Sequence, residues 1–227
     1  MKAENMRTDN MANEALDSLR TFARRPALVT IDLHRGHLDP AVATLPLTPA
    51  ASAEIVSAAL RILAKARSLG LPVVHVTTRY GDVAEILANP YWRYQAGKRG
   101  SVRARIADHQ APGSPGLEMM PGIVEPTDVV LDTKRRYDCF VATDLDFVLR
   151  SRDCDAVLLV GVNTNSCVLA TAIAASVRDY AVYVLADGVD TMMDRQFHDA
   201  ALRIIDGSFG WAIDSNVAFA TLGERVR

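Results

Sequence analysis

Cysteine is scarce in this chain. Its 227 residues hold three, Cys139, Cys154 and Cys167, with no CxxC spacing among them. An odd number without paired spacing argues against a disulfide framework and a cysteine-rich zinc site, and for a reducing, cytoplasmic setting. A surplus of charge is also lacking. The 25 Lys and Arg stand against 27 Asp and Glu, a formal charge of −2, so neither nucleic acid nor an acidic membrane is expected as a partner. No apolar run approaches the length of a membrane span. Met1 to Asn10 is polar and of mixed charge, without the apolar stretch of a secretion signal. There is no internal repeat and no dividing linker, so residues 1–227 read as one domain.

What is present is an alternation of patterns. Ala27–Ile31, Pro72–Thr77, Asp128–Asp132, Ala156–Val160 and Ala181–Leu185 are short apolar runs that predict buried strands. Gly161 is expected to end the fourth. Phe209 to Ile213 leads into a sixth, short edge strand. Between the strands lie helical patterns. Ala51 to Leu69 sets Ile55, Ala59, Ile62, Leu63 and Ala66 on one face and stops at Gly70. Thr143 to Arg152, an Ala-rich run after Val168, and Asp194 to Ile205 supply three more, with Thr143 an N-cap. Residues 1–24 read as an N-terminal helical extension lying over a neighbouring subunit. Strands alternating with helices predict a three-layer α/β fold: a mostly parallel, Rossmann-like six-stranded sheet with helices on both faces.

In such sheets the site lies beyond the C-terminal ends of the strands. That rule gathers Asp32 after the first strand, Lys134 after the third and Cys167 after the fourth. Cys167 falls where the strand has turned and a helix begins. There the helix dipole and unpaired backbone N–H groups favour a thiolate, so a lowered thiol pKa is expected. A carboxylate that takes the thiol proton, an ammonium that balances charge and a thiolate that attacks a carbonyl make a nucleophilic set.

Residues 79–123 differ from the rest. The stretch is rich in Gly and Pro, and interleaves Arg79, Arg93, Lys98, Arg99, Arg103 and Arg105 with Tyr80, Tyr91, Trp92 and Tyr94. A loop-rich insertion of this size suggests function. Its Arg and Lys suit a substrate carboxylate, with Arg79, Arg93, Lys98 and Arg99 as candidates. Tyr91, Trp92 and Tyr94 could close the pocket.

Val29-Thr30-Ile31-Asp32, the run Lys134-Arg135-Arg136-Tyr137-Asp138-Cys139-Phe140, and Gly161-Val162-Asn163-Thr164-Asn165-Ser166-Cys167-Val168 together resemble the isochorismatase-like cysteine hydrolases. The resemblance spans about residues 24 to 215. It implies an Asp-Lys-Cys triad of Asp32, Lys134 and Cys167. It also implies a non-proline cis peptide at Val162–Asn163, and an oxyanion hole from the N–H groups of Asn163 and Cys167. Within that family the presence of the cysteine favours C–N hydrolysis of small linear amides or ureido compounds through a thioester. An isochorismatase-type ether hydrolase and a catalytically silent binding subunit are the alternatives. A homodimer or homotetramer is expected. His34, Arg79, Tyr91, Trp92, Arg93 and Phe140 are the candidates to contact substrate. Nicotinamidases of the family carry a metal. Here His34 and His37 follow Asp32, but no His lies in Thr77 to Ile86 and the Asp-Trp-His-Pro type motif is absent. The expectation is therefore no metal and no cofactor, with activity surviving EDTA.

Overall fold

The structure is a computed structural model and describes residues 13–224. Its strands are β1 (Pro26–Ile31), β2 (Val73–Thr78), β3 (Val129–Lys134), β4 (Ala156–Val162), β5 (Ala181–Asp190) and β6 (Trp211–Ile213). They form one sheet in the order β3-β2-β1-β4-β5-β6. Every neighbouring pair is parallel. The order reverses between β1 and β4, and a crevice opens there at the strand ends.

Period-two alternation divides the strand residues between two cores. On one face α1 (residues 13–22), α3 (Pro49–Ser68) and α9 (Ser215–Gly223) cover Leu28, Leu158 and Tyr183. On the other, α6 (Leu145–Arg150), α7 (Leu169–Ser176) and α8 (Arg195–Ser208) cover Val29, Val157 and Val184. The described part of the N-terminal helix packs on its own sheet: Ala15, Leu19 and Ala23 are buried in the first core, so those residues do not need a neighbouring subunit to cover them. No helix among the described residues is long and apolar enough to cross a membrane.

Two strands outrun their sequence patterns. β4 continues through Gly161 to Val162, and β5 continues past Ala186-Asp187-Gly188 to Asp190. Gly161 does not terminate β4; it lets β4 lie against β1. Its φ is +119°, and a Cβ there would stand 2.0 Å from the Ile31 carbonyl oxygen, a separation only glycine avoids. Residues 79–123 are also more built than a loop. They contain α4 (Val83–Leu87), α5 (Pro90–Gln95) and two 3₁₀ turns. Tyr80, Ile86, Trp92 and Ile106 join Leu45 in a small third core above the strand ends.

Candidate active site

Three strand ends bring the polar groups together. Asp32 follows β1 directly, its N–H donating to the Val76 carbonyl at 2.9 Å. Its φ is +54°, a left-handed conformation that Asp tolerates better than most residues. This bend turns the carboxylate toward β2 and β3, where the Thr78 N–H donates to its Oδ1 at 2.8 Å. Lys134 is the last residue of β3 rather than a residue beyond it. Its ammonium donates to Asp32 Oδ2 at 2.5 Å, Thr78 Oγ1 at 2.7 Å and Cys167 Sγ at 3.4 Å. All three N–H bonds are therefore used. Cys167 lies in a single π-helical turn, Thr164–Val168, between β4 and α7. The peptide bond between Val162 and Asn163, just before that turn, is cis. Asn163 is anchored by its Oδ1, which accepts from the Met192 N–H at 2.7 Å.

The electrostatics follow from burial. Asp32 is 1 % exposed, Lys134 2 % and Cys167 5 %. Burial alone would push the Asp32 carboxyl up, but Lys134, helped by His34, holds it well below the usual carboxylate range. Burial would likewise lower the Lys134 ammonium, and Asp32 reverses that, raising it well above the ordinary lysine value. The pair is an ion pair at neutral pH. The thiol behaves otherwise. Burial pushes Cys167 up to about 11, the opposing pull of Lys134 being partly cancelled by Asp32. The lowered pKa expected from the helix start is thus corrected. The dipole of one short turn does not offset desolvation next to a charge-neutral pair. Cys167 rests as a thiol.

This has a measurable consequence. Alkylation of Cys167 by iodoacetamide should accelerate about tenfold per pH unit from neutral pH toward 11, following the thiolate fraction. Fast labelling that is flat above about pH 7 would mean a stabilised thiolate and would overturn the resting thiol. Mass spectrometry distinguishes this site from Cys139 and Cys154, both also pushed up by burial.

The three groups floor a small cavity. Its roof comes from the insertion. Trp92 is buried and donates from Nε1 to the Tyr137 hydroxyl at 2.8 Å. Arg103 and Arg136 also line the cavity. Of the residues expected at a substrate, Trp92 is therefore at the cavity. Arg79 instead pairs with Asp132 in solvent, and Arg93 donates to the Leu87 carbonyl on the surface. Tyr91 is exposed on a neighbouring groove. Phe140 packs on Tyr180 in the second core. His34 is wholly buried beside Asp32, its Nε2 3.5 Å from Oδ1.

Several residues of the site escaped the sequence reading. Thr78 ends β2, so the strand-end rule could have found it. His109 could not be placed: it comes from the insertion, beyond residues 77–86 and far in sequence from His34 and His37. It meets His34 and His37, and one ring nitrogen of each lies within 4.8 Å of the others. Among the described residues this is the one group of His, Cys, Asp or Glu with the spacing to hold a metal.

Comparison with known proteins gives the family. A family model described as an isochorismatase domain matches residues 26–217. Ureidoacrylate amidohydrolase RutB of Methylobacterium radiotolerans is 29 % identical over 222 residues, covering 94 % of this chain and 83 % of the relative. Maleamate amidohydrolase of Pseudomonas putida is 28 % identical over 190 residues, 83 % of each. The structure of N-carbamoylsarcosine amidase from Thermoplasma acidophilum superposes with a TM-score of 0.66 at 30 % identity, over 85 % of this chain and 97 % of that one. With the family model matched over most of its length, the chain belongs to the isochorismatase family.

Proposed function

We propose that the chain is a cysteine amidohydrolase that cleaves the C–N bond of a small, linear, non-peptide amide or ureido compound. The observation that carries this is the Lys134 ammonium, which joins Asp32 and Cys167 on the floor of a small cavity. The names of the amidohydrolase relatives support the same reaction class. The reaction starts from the thiol. As Cys167 Sγ bonds to the carbonyl carbon, its proton passes to Asp32 and the carbonyl electron pair moves to oxygen. The N–H groups of Asn163 and Cys167 are assigned to the oxyanion. Its collapse breaks the C–N bond, Asp32 returns the proton to the departing nitrogen, and a thioester remains. Water then adds to the thioester while giving a proton to Asp32. The second collapse expels sulfur, which takes that proton back, and releases the acid or carbamate. Lys134 keeps the negative charge on Asp32 or sulfur balanced throughout. A panel of amides, ureido compounds and a vinyl ether, read by ammonia release and by mass spectrometry of the acylated protein, tests this. Turnover of the vinyl ether with no amide cleaved would overturn it.

The cavity also selects charge. Arg103 is 7 % exposed. Among the described residues it has no carboxylate partner, its guanidinium reaching only the Met193 sulfur at 4.0 Å. Arg136 stacks over Trp92 at 5.1 Å and donates to carbonyls. The one carboxylate at the cavity, Asp32, is already taken by Lys134. A buried guanidinium without an anion is costly, and a substrate carboxylate would relieve that cost through a bidentate contact. The substrate is therefore assigned an anionic group opposite the scissile bond. Arg103→Ala should raise KM for such a substrate by roughly 10- to 100-fold, as expected for a hydrogen bond to a charged group. A neutral analogue should change far less. Equal effects on both would remove Arg103 from the substrate.

A further inference from the structure

The histidine cluster beside the triad has no part in that reaction, and its construction is unusual for plain packing. His34, His37 and His109 are all at most 4 % exposed. Their ring centroids lie 4.6 to 5.6 Å apart. His34 and His37 stand three residues apart about the single turn α2 (Arg35–Leu38), which brings both to one side. His109 approaches from the insertion. Two of the rings are held by outer partners. His37 Nδ1 lies 2.7 Å from the Leu45 carbonyl, which can only accept, so Nδ1 carries the proton and Nε2 keeps its lone pair. His109 Nδ1 lies 2.8 Å from Thr44 Oγ1. Such outer bonds fix the tautomer and orientation of metal-binding histidines. His34 is the outlier: neither ring nitrogen makes a hydrogen bond of good geometry, Nε2 standing 3.5 Å from Asp32 Oδ1 and Nδ1 facing no partner at all. A fully buried imidazole whose Nδ1 is unmatched loses solvation there without return.

We infer that His34, His37 and His109 form a binding site for a first-row divalent cation, zinc foremost, with a fourth position open to the catalytic cavity. Three neutral imidazoles suit zinc, cobalt or nickel. The ion supplies the partner that His34 Nδ1 lacks. His37 and His109 line the cavity, so the fourth ligand is water or a polar substrate atom. The present spread of up to 4.8 Å is wider than the about 3.4 Å between donors of a tetrahedral zinc with bonds near 2.1 Å. Binding must therefore draw the rings inward, and His34 has no well-formed hydrogen bond to hold it back. The site runs against the metal-free expectation from sequence, which rested on the missing histidine after β2. It does not depend on the cysteine chemistry, and either can fail alone.

The test uses the full chain and the Cys167→Ala variant, which removes the thiol as a rival zinc ligand. Each is stripped with a chelator and titrated with zinc by calorimetry, then with cobalt by visible absorption. Both chains should bind about one ion per molecule, as three ligands and one open position require. Cobalt should give the intense visible bands of a tetrahedral or five-coordinate nitrogen site, and zinc should raise Tm. His34→Ala and His109→Gln should each weaken binding at least tenfold, measured on folded protein. If a variant does not fold, the cobalt spectrum of the unaltered chain still decides. Weak multi-site binding, a pale octahedral cobalt spectrum, or affinity unchanged in both histidine variants would overturn the inference.

Discussion

Cys167→Ala and Asp32→Asn are each expected to lower kcat/KM by at least about 10⁴-fold, and the double substitution by scarcely more than the worse single one. The reason lies in the shared proton. With the thiol pushed up to about 11, thiolate is rare at neutral pH, and attack needs Asp32 to accept the proton as the C–S bond forms. Without the acceptor the nucleophile is idle, and without the nucleophile the acceptor has nothing to take. Groups that act as one unit give grossly non-additive losses. Steady-state kinetics on the three variants, with circular dichroism to show that each is folded, measures this. Losses that multiply, or a Cys167→Ala chain with substantial turnover, would dismiss the covalent route.

Lys134→Ala should cost stability as well as activity. The ammonium and its carboxylate partner are both almost fully buried, and the pair is joined at 2.5 Å. Removing one partner of a buried ion pair leaves an uncompensated charge, at a cost of about 3–5 kcal/mol. For a chain of this size that lowers Tm by roughly 10 °C. Asp32→Asn combined with Lys134→Met removes both charges and should recover much of the loss, though no activity. Denaturant melts of the single and double variants give the comparison. A Lys134→Ala chain as stable as the parent would show that water reaches the pair and that its burial is overstated.

The strands and the meeting of Asp32, Lys134 and Cys167 were legible because both rest on short-range rules. An apolar run that stops at a polar residue marks a strand end, and strand ends converge in a parallel sheet. Asp32, Lys134 and Cys167 could each be placed that way, and Lys134 is off by no more than the strand's final residue. What failed needed three-dimensional information. Gly161 looked like a terminator because its role is a close approach between strands that are distant in sequence. The Cys167 pKa was misjudged because a helix start is visible in sequence and desolvation is not. Arg79 and Arg93 were favoured over Arg103 because all are simply arginines in one long insertion. Only the fold shows that Arg79 has Asp132 for a partner while Arg103 is buried with no carboxylate partner among the described residues. His109 was invisible as a companion of His34 until the insertion folded back. Helix α9 went unannounced, since its short, mostly small and apolar sequence carries little amphipathic contrast.

The contact at Gly161 carries a consequence for how such a molecule can diversify. With no side chain between β1 and β4 at Gly161, the spacing of Asp32 and Cys167 is written into main-chain geometry, whereas the cavity roof hangs on an insertion with its own small core. In the proposed reaction, bond-breaking and substrate choice would thus occupy different modules of one chain. The roof can be lengthened, recharged or replaced while the floor keeps its registration, and a change of diet does not require the invention of a new catalyst.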